Sequence, residues 1–174
     1  MGKAMGERME RRHDGGLVWS PPFSIELDWL DANGHLNMAY YHVMFDRTVD
    51  VALDALDFGD AYRARANASV FNVETHVIYR REVHGEDKVR VSFQLLGRDE
   101  KRIHAFQTMR RIADDELAAT SESLFVHVDL GLRRSAAMPP EICAAADEMI
   151  AAHAACGEPE LAGRRIAPLG THPR

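Results

Sequence analysis

Four long strand-like segments, separated by short polar turns, fill the middle of the sequence and constrain its fold more than any other feature. The predicted strands cover residues 69–81, 87–97, 101–112 and 116–129. The connections between them are rich in Gly, Asp and Glu, as expected where antiparallel strands are joined by tight turns. The pattern therefore predicts an antiparallel meander.

The segments on either side of the meander predict one further strand and the helices. Residues 23–29 alternate apolar with polar side chains, which is the period of a half-buried strand. Residues 38–58 carry apolar side chains at helical spacing and predict one long helix that ends at Gly59, with a further turn of helix over residues 60–66. A final helix is expected over residues 139–155, because Pro-Pro-Glu suits a helix N-terminus.

One strand, one long helix and four further strands predict an α+β fold, in which a five-stranded antiparallel sheet wraps around one long central helix. Such a sheet has open edges, and it buries its apolar surface incompletely around a single helix, so we expect a homodimer or homotetramer. We expect one domain over residues 17–156, with a flexible lead-in at residues 1–16 and a tail at residues 157–174.

Charge and composition exclude several classes of function. A formal net charge of -6 argues against a general nucleic-acid binder, because phosphate neutralisation needs clustered Lys and Arg. Cys143 and Cys156 have the spacing of neither a zinc site nor a disulfide framework, which suits a reducing cytoplasm. No apolar run approaches the roughly 20 residues that span a bilayer, so we expect a soluble cytoplasmic protein without a membrane partner.

A loop rich in turn-forming residues, with the sequence DANGHLN, lies between the first strand and the long helix. The Asp31 carboxylate faces a helix N-terminus, where free N–H groups around Gly34, His35 and Leu36 could hold an oxyanion. A thioester carbonyl held there would be polarised, and Asp31 could attack it directly or take a proton from an attacking water. The same residues also fit an ordinary turn followed by Asn37 as a helix N-cap.

The chain resembles the 4-hydroxybenzoyl-CoA thioesterase-like group of the hot-dog superfamily, first through the string LDWLDANGHLNMAYYHVMFD. The resemblance continues through SVFNVETHVIYRREVHGEDKVRVSFQLLGRDEKRIHAF and LAATSESLFVHVDL, over residues 22–135. It implies a hot-dog fold and an acyl-CoA thioester hydrolase, with Asp31 as the catalytic carboxylate and the backbone amides of Gly34 and His35 as oxyanion donors. An alternative arrangement in the group, a catalytic carboxylate within the central helix, would correspond to Asp46.

More narrowly, the ANGH loop and two strands resemble thioesterases found fused to, or alongside, carnitine dehydrogenase, which are associated with betainyl-CoA hydrolysis. That resemblance implies a trimethylammonium group in the substrate, and such a cation binds well against aromatic faces and near a carboxylate. The candidate substrate-binding residues are Trp29, Asn37, Tyr40, Tyr41, Phe71, Glu74 and His76. Core packing of the aromatic residues, and structural hydrogen bonding of Glu74 and His76, are the alternatives.

Coenzyme A carries several phosphates, and the resemblance implies that it lies on the outer surface near a subunit boundary. The candidate CoA-binding residues are Arg80, Arg81, Lys101, Arg102 and Arg110, since guanidinium groups suit phosphate oxygens. We expect no metal and no cofactor apart from the CoA of the substrate, because the histidines form no metal-binding motif. The alternatives are a thioesterase for aromatic or short-chain acyl-CoA and a non-catalytic acyl-CoA-binding hot-dog domain.

Overall fold

The computed structural model describes residues 16–166, so residues 1–15 of the predicted lead-in and residues 167–174 of the predicted tail lie outside it. The strands are β1 (Val18–Trp19), β2 (Phe23–Ser24), β3 (Ala68–Tyr79), β4 (Lys88–Arg98), β5 (Arg102–Arg111), β6 (Leu117–Asp129) and β7 (Arg134–Ser135). The helices are a 3-10 turn at Leu27–Trp29 followed by α1 (Met38–Ala55), α2 (Asp60–Ala66) and α3 (Pro140–Ala154).

The strands form one antiparallel sheet in the order β1-β4-β5-β6-β3. β2 also pairs with β4, and β7 pairs with β6. The predicted α+β class and the four long strands are therefore confirmed. The predicted count of five is replaced by four long strands and three strands of two residues each. β3 lies at one edge of the sheet and, within residues 16–166, pairs only with β6.

The predicted first strand over residues 23–29 is wrong beyond its first two residues. Trp29 N–H donates to the Glu26 carbonyl at 3.0 Å, which closes a 3-10 turn instead of a strand. Ile25 and Trp29 are buried, whereas Leu27 is 78% exposed. Around this turn two residues four positions apart, Ile25 and Trp29, face the core. Over so short a segment, such a turn and a half-buried strand give the same apolar–polar alternation, so the sequence pattern did not distinguish them.

Helix α1 packs against one face of the sheet, here called the inner face. Its buried side includes Met44, Phe45 and Thr48, and alternate residues of β4 such as Val91 face the same core. A full burial of side chains of this size contributes roughly 1.5–3 kcal/mol each. Gln107 of β5 joins sheet and helix, because its buried amide donates to the Phe45 carbonyl at 2.9 Å.

Helix α1 ends at Ala55, three residues before the predicted end at Phe58. Asp57 has a φ of 53°, a left-handed conformation that stops the helical backbone. Gly59 then becomes the N-cap of α2. The predicted turn of helix over residues 60–66 is confirmed, and so is the C-terminal helix, which starts with Pro140 in its first turn.

The chain after α3 returns to the opposite, outer face of the sheet. Gly157 accepts a hydrogen bond from the Gln94 amide at 2.8 Å, and the Gly163 N–H donates to Glu122 at 2.8 Å. His153 of α3 caps the edge of β4 by accepting from the Leu95 N–H at 2.8 Å. None of the helices within residues 16–166 is both long and apolar enough to cross a bilayer.

Candidate active site

The loop that precedes α1 is closed by its own backbone. Asp31 N–H donates to the His35 carbonyl at 2.8 Å, and Gly34 N–H donates to the Asp31 carbonyl at 3.0 Å. Gly34 has a φ of 77°, so the turn needs glycine for its backbone conformation. A side chain there would meet no atom within 4 Å, which shows that the requirement is conformational and not steric.

The Asp31 carboxylate is held by two backbone amides through one of its oxygens. Oδ1 accepts from Asn33 N–H at 2.8 Å and from His35 N–H at 3.2 Å. These hydrogen bonds, the one from Asn33 first, lower the pKa of Asp31 below its usual value, because they favour the charged form. Oδ2 accepts no backbone hydrogen bond from residues 16–166, and the nearby Asn33 side chain also helps to lower the pKa of this carboxyl, so the carboxylate has a fixed orientation and one oxygen free of the main chain.

At the start of α1, close to Asp31 in the sequence, one backbone N–H has no hydrogen-bond partner among residues 16–166. Asn37 is the N-cap predicted from the sequence, and its side chain accepts from Ala39 N–H at 3.0 Å. Tyr40 N–H donates to the Asn37 carbonyl at 3.0 Å. Met38 N–H, at the first helical position, donates to no atom of the described chain, and the positive end of the helix dipole lies there.

The amides predicted as oxyanion donors are occupied within the loop in this conformation. Gly34 and His35 donate to Asp31 itself, and Leu36 N–H donates to the Val83 carbonyl at 2.8 Å. The predicted helix start at Met38 is confirmed, but the free donors were expected among the loop amides that precede it. The amide of Met38 is therefore the donor of the helix N-terminus that the structure leaves available.

A cavity of about 580 Å³ opens beside the loop. Its walls are formed by Asp31, His35, Leu36, Asn37, Met38, Tyr41, Tyr79, Arg80, Arg81 and Glu82. Six of these residues were predicted as catalytic, substrate-binding or CoA-binding residues: Asp31, His35, Asn37, Tyr41, Arg80 and Arg81. The structure adds Met38, Tyr79 and Glu82, which sequence reasoning missed. The signal for Tyr79 was its position directly before the paired arginines.

Two tyrosines form an aromatic wall in this cavity. The rings of Tyr41 and Tyr79 meet edge to face, with centroids 5.1 Å apart and an interplanar angle of 80°. Tyr41 is only 4% exposed, and burial raises the pKa of its hydroxyl to about 12. Tyr79 is 45% exposed, so its ring reaches the open part of the cavity. Both phenols stay neutral at physiological pH.

Trp29 and Tyr40 lie behind the loop instead of in the cavity. Their rings stack with centroids 5.0 Å apart and an angle of 10°. The Arg47 guanidinium lies 5.7 Å from the Trp29 ring centroid. Trp29 is 8% exposed, so its ring faces are engaged within the protein, which matches the core-packing alternative.

Glu74 and His76 line a different cavity, of about 630 Å³, on the outer face of the sheet. They do not meet Asp31 within one chain. Glu122 also lines that cavity. Its carboxylate is hydrogen-bonded to His104 Nε2 at 2.8 Å and accepts a hydrogen bond from Gly163 N–H at 2.8 Å. Phe71 lies on the same edge strand and is 49% exposed.

Asp46, the alternative catalytic carboxylate, lines a third cleft of about 310 Å³ between α1 and the sheet. Polar residues of the sheet, including Asn72, Thr75 and Ser123, face it there. The structure therefore separates Asp46 from the walls of the Asp31 cavity. Asp99 of the outer-face cavity is held by backbone amides in a similar way, but its second oxygen pairs with Arg102.

The predicted CoA-binding residues fall into two groups. Arg80 and Arg81 line the Asp31 cavity, and Arg110 joins them in an adjoining cleft of about 400 Å³. Arg81 pairs with Glu116 at 3.0 Å, whereas Arg80 forms no ion pair with residues 16–166. Lys101 and Arg102 lie in the β4–β5 region and pair with neighbouring acids, Lys101 with Glu100 at 3.4 Å.

Comparison with known proteins agrees with this fold. Residues 25–146 match the Thioesterase-like superfamily. The chain is 33% identical over 139 residues to a betainyl-CoA thioesterase of Pseudomonas aeruginosa, covering 80% of this chain and 87% of that protein. It is 36% identical over 143 residues to an L-carnitine dehydrogenase/betainyl-CoA thioesterase of Ruegeria pomeroyi, covering 82% of this chain but 29% of that protein.

Solved structures give the same result for the fold. A protein of Staphylococcus aureus in complex with CoA superposes with a TM-score of 0.81 at 24% identity, covering 87% of this chain and 95% of that one. A putative thioesterase of Pseudomonas putida KT2440 superposes with a TM-score of 0.74 at 28% identity, covering 87% and 97%.

The chain belongs to the thioesterase-like superfamily, and its α+β architecture is the hot-dog fold expected from the sequence. It is an acyl-CoA thioester hydrolase.

Proposed function

We propose that this enzyme hydrolyses the CoA thioester of a small acyl group with a quaternary ammonium, betainyl-CoA, and that Asp31 is its catalytic carboxylate. The observation that carries the catalytic assignment is that one cavity wall contains both a carboxylate oxygen free of the main chain and a helix N–H without a partner among residues 16–166. They are Oδ2 of Asp31 and the Met38 N–H at the helix N-terminus.

In this mechanism the thioester oxygen accepts a hydrogen bond from the Met38 N–H, whose position at the helix N-terminus favours developing negative charge. Asp31 Oδ2 then acts by one of two routes. It either attacks the carbonyl carbon and expels the CoA thiolate, forming a mixed anhydride that water then hydrolyses, or takes a proton from a water that attacks the carbonyl carbon and expels the thiolate. Both routes end in the free acid and CoA. Gly34 and His35 support the reaction by fixing the carboxylate through the loop.

The acyl group is proposed from the wall opposite the loop. Tyr41 and Tyr79 present aromatic surface, and Glu82 adds a carboxylate to the same cavity. A trimethylammonium ion is attracted to such ring faces by roughly 0.5–2 kcal/mol per contact. Two relatives whose names include betainyl-CoA thioesterase support the same substrate. Tyr41 and Tyr79 replace Trp29 and Tyr40 as the aromatic residues of this proposal.

The phosphates of CoA are proposed to bind at the rim of the cavity. Arg80 is the strongest candidate, because its guanidinium forms no ion pair within residues 16–166. Arg81 already pairs with Glu116 and would contribute less. Guanidinium groups bind phosphate oxygens in pairs of parallel hydrogen bonds, so a single free arginine is a useful anchor.

We also propose that the enzyme is a homodimer that pairs through β3. This edge strand exposes three large apolar side chains, Phe71 at 49%, Val73 at 57% and Tyr79 at 45%. An open strand edge with exposed apolar residues favours pairing with another strand. Light scattering on the purified protein tests the dimer. A cytoplasmic location and the absence of a cofactor stay predictions.

The function is tested by steady-state hydrolysis of betainyl-CoA and of its neutral isostere, 3,3-dimethylbutanoyl-CoA, in which a carbon replaces the ammonium nitrogen. We expect kcat/KM for betainyl-CoA to be higher by at least about tenfold, which corresponds to about 1.4 kcal/mol of cation binding. Equal values would contradict the acyl assignment while leaving the thioesterase intact. Tight CoA binding without turnover of either ester would favour the non-catalytic domain.

The aromatic wall is tested separately by Tyr79→Leu, with Tyr79→Phe as the matched control. The leucine variant should lose the preference for the cationic ester, because it removes the ring but keeps apolar volume. The phenylalanine variant should keep it, because the ring face remains. If both variants retained the wild-type ratio of the two esters, Tyr79 would have no part in recognition of the cation.

A further inference from the structure

Three side chains of types that can bind metals meet at the rim of the Asp31 cavity, although they come from two segments far apart in the sequence. His35 comes from the loop before α1, and Glu82 and His84 come from the connection between β3 and β4. An isolated antiparallel bridge joins His35 to His84, and Leu36 N–H donates to the Val83 carbonyl at 2.8 Å. Val83 is fully buried, so the two segments are anchored to each other by backbone contacts.

The spacing of the three side chains suits a shared ion. His35 Nε2 lies 3.5 Å from Glu82 Oε2, and one ligand atom of each of the three residues lies within 4.8 Å of the other two. Bonds of about 2.0–2.1 Å in a tetrahedral site place the ligand atoms about 3.3 Å apart. The first distance already fits this value, and rotation of the exposed Glu82 and His84 side chains would close the others.

We propose that His35, Glu82 and His84 form a binding site for a divalent transition-metal ion of the zinc class. Two imidazoles and one carboxylate form a donor set that Zn²⁺ accepts, and one tetrahedral position remains for water. The set selects against Mg²⁺ and Ca²⁺, which prefer oxygen ligands. The sequence predicted no metal because His35 and His84 are 49 positions apart, and only the fold brings them together.

A bound ion would act on the neighbouring cavity through the residues that the two sites share. His35 and Glu82 line the cavity, and His35 N–H holds the Asp31 carboxylate. Coordination would turn Glu82 away from an acyl cation and restrain the Asp31 loop, so Zn²⁺ should inhibit hydrolysis of the cationic ester. This inhibition rests on the proposed function, whereas the binding of the metal does not.

Titration calorimetry of the metal-free, untagged chain with Zn²⁺, in a buffer that contains excess Mg²⁺, tests the site directly. The wild type should bind one equivalent of Zn²⁺ at this cluster. Both His84→Ala and Glu82→Gln should weaken that binding by at least about tenfold, since each removes a ligand. His42→Ala is the matched control, because His42 is an exposed histidine of α1 outside the cluster, and it should leave the affinity unchanged.

Two results would overturn the site: no Zn²⁺ binding by the wild type above that of Mg²⁺, or unchanged affinity in both ligand variants. Circular dichroism of each variant excludes unfolding as a cause of lost binding. His84→Ala does not alter a cavity wall, so its basal hydrolysis should equal that of the wild type. Zn²⁺ inhibition should then be present in the wild type and absent from this variant. Metal binding without inhibition would preserve the site and contradict its link to catalysis.

Discussion

The Asp31 cavity and the outer-face cavity differ in how their charged groups are used. The outer-face cavity is the larger of the two, at about 630 Å³ against 580 Å³, and it contains more acidic, basic and imidazole side chains. Five of the eight are paired with other charged groups, whereas Glu74, His76 and Arg164 form no side-chain hydrogen bond or ion pair with residues 16–166. Glu122 binds both His104 and Gly163 N–H, and Arg102 binds Asp99.

In the Asp31 cavity, by contrast, backbone amides hold one carboxylate oxygen and leave the other free of the main chain. A helix amide and the Arg80 guanidinium are without partners among residues 16–166. Chemistry requires groups whose hydrogen-bonding capacity is not already taken up by the protein. Under the proposed function, size and charge density would favour the outer-face cavity, whereas a carboxylate oriented by backbone amides beside a free helix amide favours the Asp31 cavity.

The largest expected effect is a loss of hydrolytic activity on mutation of Asp31, which would assign catalysis to the Asp31 cavity. Asp31→Asn should lower kcat for betainyl-CoA by about 10²–10⁴-fold, because the amide can neither attack nor accept a proton. The amide oxygen can still accept the two backbone hydrogen bonds, so the melting temperature should change little. Steady-state kinetics and a thermal melt measure both effects. Wild-type turnover in this variant would remove Asp31 from the mechanism.

A second prediction concerns the edge of β4 next to the outer-face cavity. Burial lowers the pKa of His153, whose Nδ1 accepts from Leu95 N–H. The unfolded chain therefore binds the proton first as the pH falls below about 6.5. The free energy of unfolding should decrease from that pH down to the lowered folded pKa, by up to about 1.4 kcal/mol per pH unit.

Urea denaturation of wild type and His153→Asn, at about pH 7.5 and about pH 5.5, tests this prediction. The asparagine variant keeps an acceptor for Leu95 N–H but does not titrate, so its stability should fall less across this range. An equal loss in both proteins would assign the acid sensitivity to other groups.

The third prediction concerns the cap that positions the Met38 amide. Asn37→Ala should lower the free energy of unfolding by about 1 kcal/mol, because Ala39 N–H loses its acceptor. Asn37→Asp is the matched control, since it keeps the acceptor and adds a charge that favours the helix N-terminus. Denaturation in urea ranks the three proteins. If alanine and aspartate were equally stable, the cap would contribute no net stability.

The smallest expected effect lies in the outer-face cavity. Glu122→Gln should leave kcat/KM within about twofold of the wild type, while the free energy of unfolding falls by about 1 kcal/mol through the weakened contacts with His104 and Gly163. A loss of activity comparable to that of Asp31→Asn, with the fold intact, would reverse the comparison between the two cavities.

Features that depend on neighbouring residues were predictable from the sequence. The long helix, the four long strands and the N-cap at Asn37 follow from local spacing and from the chemistry of one side chain. The failure at residues 23–29 has a local cause as well, because a short alternating pattern does not distinguish a strand from a 3-10 turn. The family and the hydrolase activity were predictable because the resemblance covered several strands in order.

Features that depend on which distant segments meet were not predictable in the same way. Alternation along β3 puts Glu74 and His76 on one face, but it does not reveal that α1 covers the other face. Tyr79 and Glu82 enter the Asp31 cavity because the end of β3 passes the loop before α1. The helix start at Met38 was predicted, but the distant Val83 carbonyl that occupies the Leu36 amide was not.

The hydrogen bonds to the Asp31 carboxylate determine which mutations this loop can accommodate. The carboxylate is oriented mainly by main-chain atoms, with the N–H groups of Asn33 and His35 as donors. Most side chains at position 32 could therefore be exchanged without moving the carboxylate, whereas the Asn33 side chain also interacts with it. The insertion or deletion of a single residue between Asp31 and Met38 would move it. The number of residues in the loop is thus under stronger constraint than most of their identities.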